Sequence, residues 1–402
     1  MNTVNHLPQG WENKKMPEVV KWGSGGTPKA TESLYYENGT IPWLIIGDLN
    51  DGIVKTSATK ITKLGLENSS AKLIPCGTLL IAMYGSIGKL GITGFECCTN
   101  QAIAFAQKLN GVDTMYLFYY LMMIKPKLVQ LGKGGTQKNI SQTVLNSLYI
   151  PLPPLPTQRA IVTRIETLFA ELDKAVQHLR TAQQQLKTYR QAVLKAAFEE
   201  CDSFEKITNC FDVTGGLTKN SQREKFPIKM PYLRVANVYY NRLDLSEIKE
   251  IGVQESEIKD KLLKKDDLLF VEGNGSKEQI GRVAIWNGSI ENCLHQNHII
   301  KGRPLGTMLS KFALYYFISD FGREQILKVA SSTSGLYTLS TEKVRNLKIP
   351  SCPLAEQQRI VQEIESRLSQ AEAAEASIAE ALKKTEALRQ SILKKAFSGE
   401  LV

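Results

Sequence analysis

The sequence predicts an α+β chain. It holds two similar globular units separated by two long helices, and the helices pair as an antiparallel coiled coil within the chain. Two observations carry this. From residue 161, apolar side chains fall at Ile161, Ile165, Leu168, Leu172, Ala175, Leu179, Ala182, Leu186, Tyr189, Val193 and Ala196. Their spacing alternates four and three, the heptad seam that asks for a partner helix. The same stretch then recurs at the C-terminus at one constant offset. Ile150-Pro151 returns as Ile349-Pro350, Gln158 as Gln357, Ile165-Glu166 as Ile364-Glu365, Arg190-Gln191 as Arg389-Gln390, and Ala197-Phe198 as Ala396-Phe397. Register held over such a span is an internal duplication with a pseudo-twofold character. It also supplies the partner that the first seam needs.

In chain order, residues 1–150 form the first unit. Trp43 to Ile46, Leu79 to Met83 and Ile103 to Phe105 read as short buried strands, and Thr114 to Leu131 as a buried helix. Gly-rich turns separate them: Gly23 to Pro28, Gly47 to Gly52, Tyr84 to Lys89, and the polar loop from Gly132 to Asn139. Residues 151–200 are a Pro-rich turn and the first helix. Pro151, Pro153, Pro154 and Pro156 cannot continue a strand or lie inside a helix. A helix of roughly 40 residues at about 1.5 Å per residue is a spacer some 60 Å long. Residues 201–349 repeat the first unit's plan: Pro231-Tyr232-Leu233 for Pro42-Trp43-Leu44, Asn237 for Asp48, Gly215-Gly216 for Gly25-Gly26, Leu268-Leu269 for Leu79-Leu80, Gly281-Arg282 for Gly88-Lys89, and Tyr315-Tyr316 for Tyr119-Tyr120. Residues 350–402 are the second helix. The frame is shared, but the loop side chains differ, so two copies of one scaffold are expected to read two different things.

Composition narrows the classes. Over 402 residues the net charge is +10, which leans towards a polyanionic partner. The seven cysteines include no C-x-x-C pair, as in reduced cytoplasmic proteins. No apolar run is long enough to span a bilayer, so no membrane role is expected. Catalytic patterns are missing. Gly88-Lys89 lacks the Walker A glycine and hydroxyl. No G-x-S-x-G elbow is present, and Pro153-Pro154 lacks the Asn/Asp-Pro-Pro-aromatic context of an adenine methyltransferase. Cys293, His295 and His298 cluster without a fourth metal ligand. No metal and no cofactor is expected.

The Pro-Leu-x-x-Gln turns (Pro154 to Gln158, Pro353 to Gln357) each lead into a long helix that ends Arg-Gln-x-Val/Ile-Leu-Lys-x-Ala-Phe. Together with the Leu7-Pro-Gln-Gly-Trp11 opening and the two variable units, they make the chain resemble the specificity (S) subunits of type I restriction-modification systems. The resemblance covers essentially the whole chain. It implies two target recognition domains and a non-catalytic subunit. That subunit binds an asymmetric bipartite site on double-stranded DNA. It directs two methyltransferase (M) subunits and the restriction/translocase (R) subunits to that site. S-adenosylmethionine, ATP and Mg²⁺ would belong to those partners. A coiled-coil interaction scaffold without a nucleic-acid role is the alternative. The polar loops suit phosphate contact and base readout. In the first unit the expected DNA-binding residues are Thr27, Lys29, Asp48, Tyr84, Ser86, Lys89, Gln137 and Lys138. In the second they are Lys219, Arg234, Asn237, Asn274, Lys277, Arg282, His295, Gln296 and Tyr337.

Overall fold

The computed structural model describes residues 7–134, 138–274, 276, 279–333 and 336–402. Contacts divide the chain into two compact units. One comprises residues 1–179 with 380–402, the other residues 180–379. Each unit therefore takes a stretch of both long helices.

The first unit contains β1 (Glu12–Lys15), β2 (Val20–Ser24), β3 (Ile41–Leu44), β4 (Gly52–Val54), β5 (Thr59–Ile61), β6 (Leu79–Ala82), β7 (Leu90–Thr93), β8 (Cys98–Thr99), β9 (Ile103–Leu109), α1 (Thr114–Leu131) and β10 (Tyr149–Leu152). After β10 runs the long helix α2 (Leu155–Phe198). The strands form a five-stranded sheet of order β2-β9-β6-β7-β4, a three-stranded sheet β5-β3-β8 and a two-stranded ladder β1-β10. Strand β6 reads Leu-Leu-Ile-Ala and is buried on both faces, as a central strand must be. Helix α1 is capped by Asp113, whose carboxylate accepts the backbone N–H groups of Met115 and Tyr116.

The second unit contains β11 (Phe204–Lys206), β12 (Phe211–Gly215), β13 (Ile228–Leu233), β14 (Val238–Tyr239), β15 (Arg242–Leu243), β16 (Lys249–Val253), β17 (Leu268–Val271), β18 (Gly273–Asn274), β19 (Val283–Ile285), β20 (Leu294–His295), β21 (Ile299–Pro304), α3 (Ser310–Ile318), α4 (Asp320–Val329), β22 (Ser331–Thr333), β23 (Leu336–Thr338) and β24 (Lys348–Pro350). The second long helix, α5, spans Leu354–Ser398. Its sheets β12-β21-β17-β19, β16-β13-β20 and β11-β24 repeat those of the first unit, except that among the described residues no strand is paired to β19 as β4 is to β7, and β14 and β15 pair with each other instead. The repeat extends to the unusual parallel pairs: Trp43 lies opposite Cys98 in one unit, and Tyr232 opposite Leu294 in the other. Two further features depart from the repeat. The single helix α1 becomes two, α3 and α4, divided at Ser319, whose hydroxyl caps α4. The second unit also adds the small sheet β18-β23-β22.

The long helices are built into each unit's core rather than laid on its surface. In the first unit Ile161, Ile165 and Phe169 of α2 share one core with Ile392, Leu393, Ala396 and Phe397 of α5. In the second, Val193, Leu194 and Phe198 of α2 share one with Ile360, Val361 and Ile364 of α5. The early part of one helix thus meets the late part of the other, which is antiparallel pairing. Polar contacts keep the same register. Arg389 bonds Asp173 and stacks over Phe169 at 4.8 Å in the first unit. In the second, Arg190 meets Glu375 at 2.9 Å. The seam differs from the expected one at three steps: Val176, Arg190 and Ala197 turn inward, while Ala175, Tyr189 and Ala196 are exposed. A straight α-helix drifts against a strict 3.5 repeat, and the inward face moves by one residue. The closing Ala-Phe pairs are packing devices. Phe397 sits edge-on to Tyr116 and Tyr120 at 4.9 and 5.3 Å. Phe198 does the same to Phe312 and Tyr316 at 5.3 and 5.5 Å.

Candidate nucleic-acid interface

In the first unit, backbone hydrogen bonds draw four loops to one edge. Gly26 donates to Thr99 O at 2.9 Å. Met83 donates to Ala102 O at 2.8 Å and accepts from Ile140, and Gly85 donates to Lys138 O at 3.2 Å. Gly25 is required here, because a Cβ would lie 2.2 Å from Thr99 O. Thr27, Lys29, Tyr84, Ser86 and Lys138 are all exposed on these loops. The Thr27 hydroxyl bonds Gln101, an exposed residue of the same edge that the sequence reading did not select.

The second unit gathers the matching loops. Leu217 donates to His295 O at 2.8 Å, Glu272 donates to His298 O at 2.9 Å, and Leu339 donates to Glu272 O. Here Gly216 holds the place of Gly25, since its Cβ would strike His295 O at 2.2 Å. The expected match of Gly215-Gly216 to Gly25-Gly26 is therefore off by one residue. Lys219 is exposed and Gln296 half-buried on this edge. Asn274 pairs with Tyr337 across β18 and β23. Gln137 and Lys277 lie outside the described residues.

Several expected readers instead hold the frame together. Asn237 is 3% exposed. Its side-chain oxygen accepts the Arg234 N–H, and its amide donates to the carbonyls of Asp244 and Glu247. Asp48 does the equivalent work, accepting the N–H groups of Ile45 and Ala58. These two cap the 3₁₀ turns Ile46–Asp48 and Val235–Asn237. Lys89 reaches the carbonyls of the first of these turns, with Nζ 3.3 Å from Ile46 O. Arg282 reaches the second, 3.2 Å from Val235 O, and lies over the Tyr239 ring. Arg234 is committed to Glu247. His295 is fully buried, its Nδ1 2.9 Å from Ile299 O. Burial holds it far below the usual imidazole range, down to about 3, so it carries no charge. Asn237 has its oxygen and amide bonded to the backbone, and His295 Nε2, though unbonded among the described residues, is buried, so neither side chain meets a base. Cys293, raised to about 12 by burial, is inert as a ligand or nucleophile. Among the described residues no His/Cys/Asp/Glu cluster could hold a metal.

The family profile for the type I restriction modification DNA specificity domain matches residues 8–179 and again residues 203–384. The chain belongs to this family. The specificity subunit of the type I restriction enzyme EcoKI from Escherichia coli K12 is 26% identical over 423 aligned residues, covering 99% of this chain and 91% of that protein. The StySPI specificity subunit of Salmonella potsdam is likewise 26% identical, covering 98% and 90%. Two solved structures share the fold. A chain from a study of complex assembly and conformational transition in the type I R-M system has a TM-score of 0.74 at 18% identity, covering 98% of this chain and all of that one. The HsdS subunit from Thermoanaerobacter tengcongensis has a TM-score of 0.62 at 18% identity, covering 99% of each. The chain is thus a DNA sequence-recognition subunit of a type I restriction-modification system, and not its catalytic component. No helix among the described residues is long and apolar enough to cross a membrane.

Proposed function

We propose that this specificity subunit reads an asymmetric bipartite site on duplex DNA, one unlike half-site per globular unit. It directs two adenine-methyltransferase (M) subunits and the restriction/translocase (R) subunits to that site, in the cytoplasm. One observation carries the reading: two units share a frame down to single hydrogen bonds yet carry different side chains on the same exposed loops. At matched positions, Thr27-Pro28-Lys29 corresponds to Thr218-Lys219-Asn220, and Asn100-Gln101-Ala102 to Gln296-Asn297-His298. A frame kept while its loops change fits two readers of different sequences better than it fits a helix scaffold.

Each unit has its own reading edge: Thr27, Lys29, Tyr84, Ser86 and Lys138 in the first, and Lys219, Gln296 and Tyr337 in the second. Lysines there contact phosphates, while the amide and hydroxyl groups reach base edges. Two helices of similar length that share their end motifs suit two copies of one M partner. The test is selection from a random duplex pool by the subunit assembled with its M partner. Enrichment of two unlike blocks at a fixed gap supports the reading. Absence of enrichment at any salt concentration supports the scaffold.

A further inference from the structure

We infer that His298, held by Glu272, is a specificity-determining residue of the second unit, and that its Nε2 reads the major-groove edge of one base pair. The inference rests on the DNA-reading role proposed above. His298 lies in the turn between β20 and β21, directly after Gln296 and Asn297. Its Nδ1 is 2.8 Å from Glu272 Oε2, and its side chain is 52% exposed.

The duplication provides an internal control. Met83 occupies the place of Glu272 and makes the same backbone bonds: its N–H donates to Ala102 O, and its carbonyl accepts from Ile140. Ala102 then occupies the place of His298. The first unit builds this frame with a buried methionine and an alanine, so the frame does not need an acid and an imidazole there. A half-exposed pair of this kind contributes little to stability. It does orient the ring. A carboxylate beside Nδ1 holds the hydrogen on that nitrogen and leaves Nε2 of the neutral imidazole as an outward acceptor. An outward acceptor matches the exocyclic amino groups of adenine and cytosine, and it opposes the acceptor-only major-groove edge of guanine.

The test repeats the random-duplex selection with the M-assembled subunit and three variants, H298A, E272A and E272Q, and measures each variant's thermal unfolding alongside. The wild type is expected to prefer adenine or cytosine at one position of one block. H298A should lose that preference by about fivefold, the value of one hydrogen bond, with the other block unchanged. E272A should relax the same position, and E272Q should keep it because its amide oxygen still accepts from Nδ1. None of the three should shift the melting temperature. A wild-type motif that H298A leaves intact, or weakens equally on all sequences, overturns the inference and leaves the reading of the protein standing. Relaxation by H298A but not by E272A overturns the positioning role of Glu272. No motif from the wild type overturns both.

Discussion

The side-chain carbonyl of Gln158 accepts the backbone N–H of Asp113 at 2.8 Å. The amide of the same glutamine donates to the carbonyls of Gly111 and Pro153. In the second unit Gln357 makes the same three bonds, accepting from Leu309 and donating to Thr307 and Cys352. Both glutamines are buried, at 0% and 1% exposure. Each ties the first turn of a long helix to the entry of the unit's buried helix. Gln158→Ala would leave one buried and two half-buried backbone groups without this partner, and a loss of about 2–4 kcal/mol is expected from the usual penalty for such orphans. Urea unfolding of Q158A and Q357A checks this, each lowering the transition of its own unit. A change below about 0.5 kcal/mol in either would show that water replaces the lost bonds.

The buried His295 makes the second unit acid-sensitive. Its folded-state value, lowered to about 3 from 6.5 by burial, means that the unfolded chain binds the proton more tightly. This contribution to stability is fully present above pH 6.5 and is lost as pH falls towards 3. Between pH 7 and pH 5 it amounts to about 2 kcal/mol by linkage. The matching residue in the first unit is Thr99, also buried. His295→Thr should therefore flatten the fall in stability over that range. Denaturant titrations at pH 7 and pH 5 that show the same slope for variant and parent would contradict it.

Exposed lysines on the reading edges should behave differently from the framework cations. Lys29→Ala and Lys219→Ala should weaken binding to all duplexes alike. Each should lower the slope of log affinity against log salt by about one. Arg282→Ala should lower stability instead, because its guanidinium bonds Val235 O and covers Tyr239. Fluorescence titrations from low to moderate salt, read beside melting curves, separate the two classes.

The duplication, the long helices and the family were all legible in the sequence, because a repeat held at constant offset is a one-dimensional property. The distinction between readers and framework was not. Asp48 and Asn237 sit in polar, Gly-rich turns and look like readers, yet a carboxylate or amide three residues past the start of a turn is also a cap. Lys89 reaches a carbonyl 43 residues away, and no local pattern encodes that contact. His295 follows the apolar pair Cys293-Leu294 on a short strand, which is the one local hint of its burial. The matching of Gly25 to Gly216 rested on which glycine faces a backbone carbonyl, a three-dimensional fact. Gln101 looks like an ordinary turn residue, and His298 stands out in the sequence only as part of an incomplete metal cluster; its partner Glu272 lies 26 residues away and no local pattern encodes that contact.

The central claim is that each unit reads its own half-site on a common frame. The ladder β1-β10 and the ladder β11-β24 close equivalent segments, so residues 203–351 can be exchanged for a second copy of residues 12–152. The exchanged chain is assembled with its M partner and presented with the random duplex pool. The account predicts enrichment of one block occurring twice, read on opposite strands, and identical to one block of the parent's motif. An assembled complex that still selects the parent's two unlike blocks would contradict it.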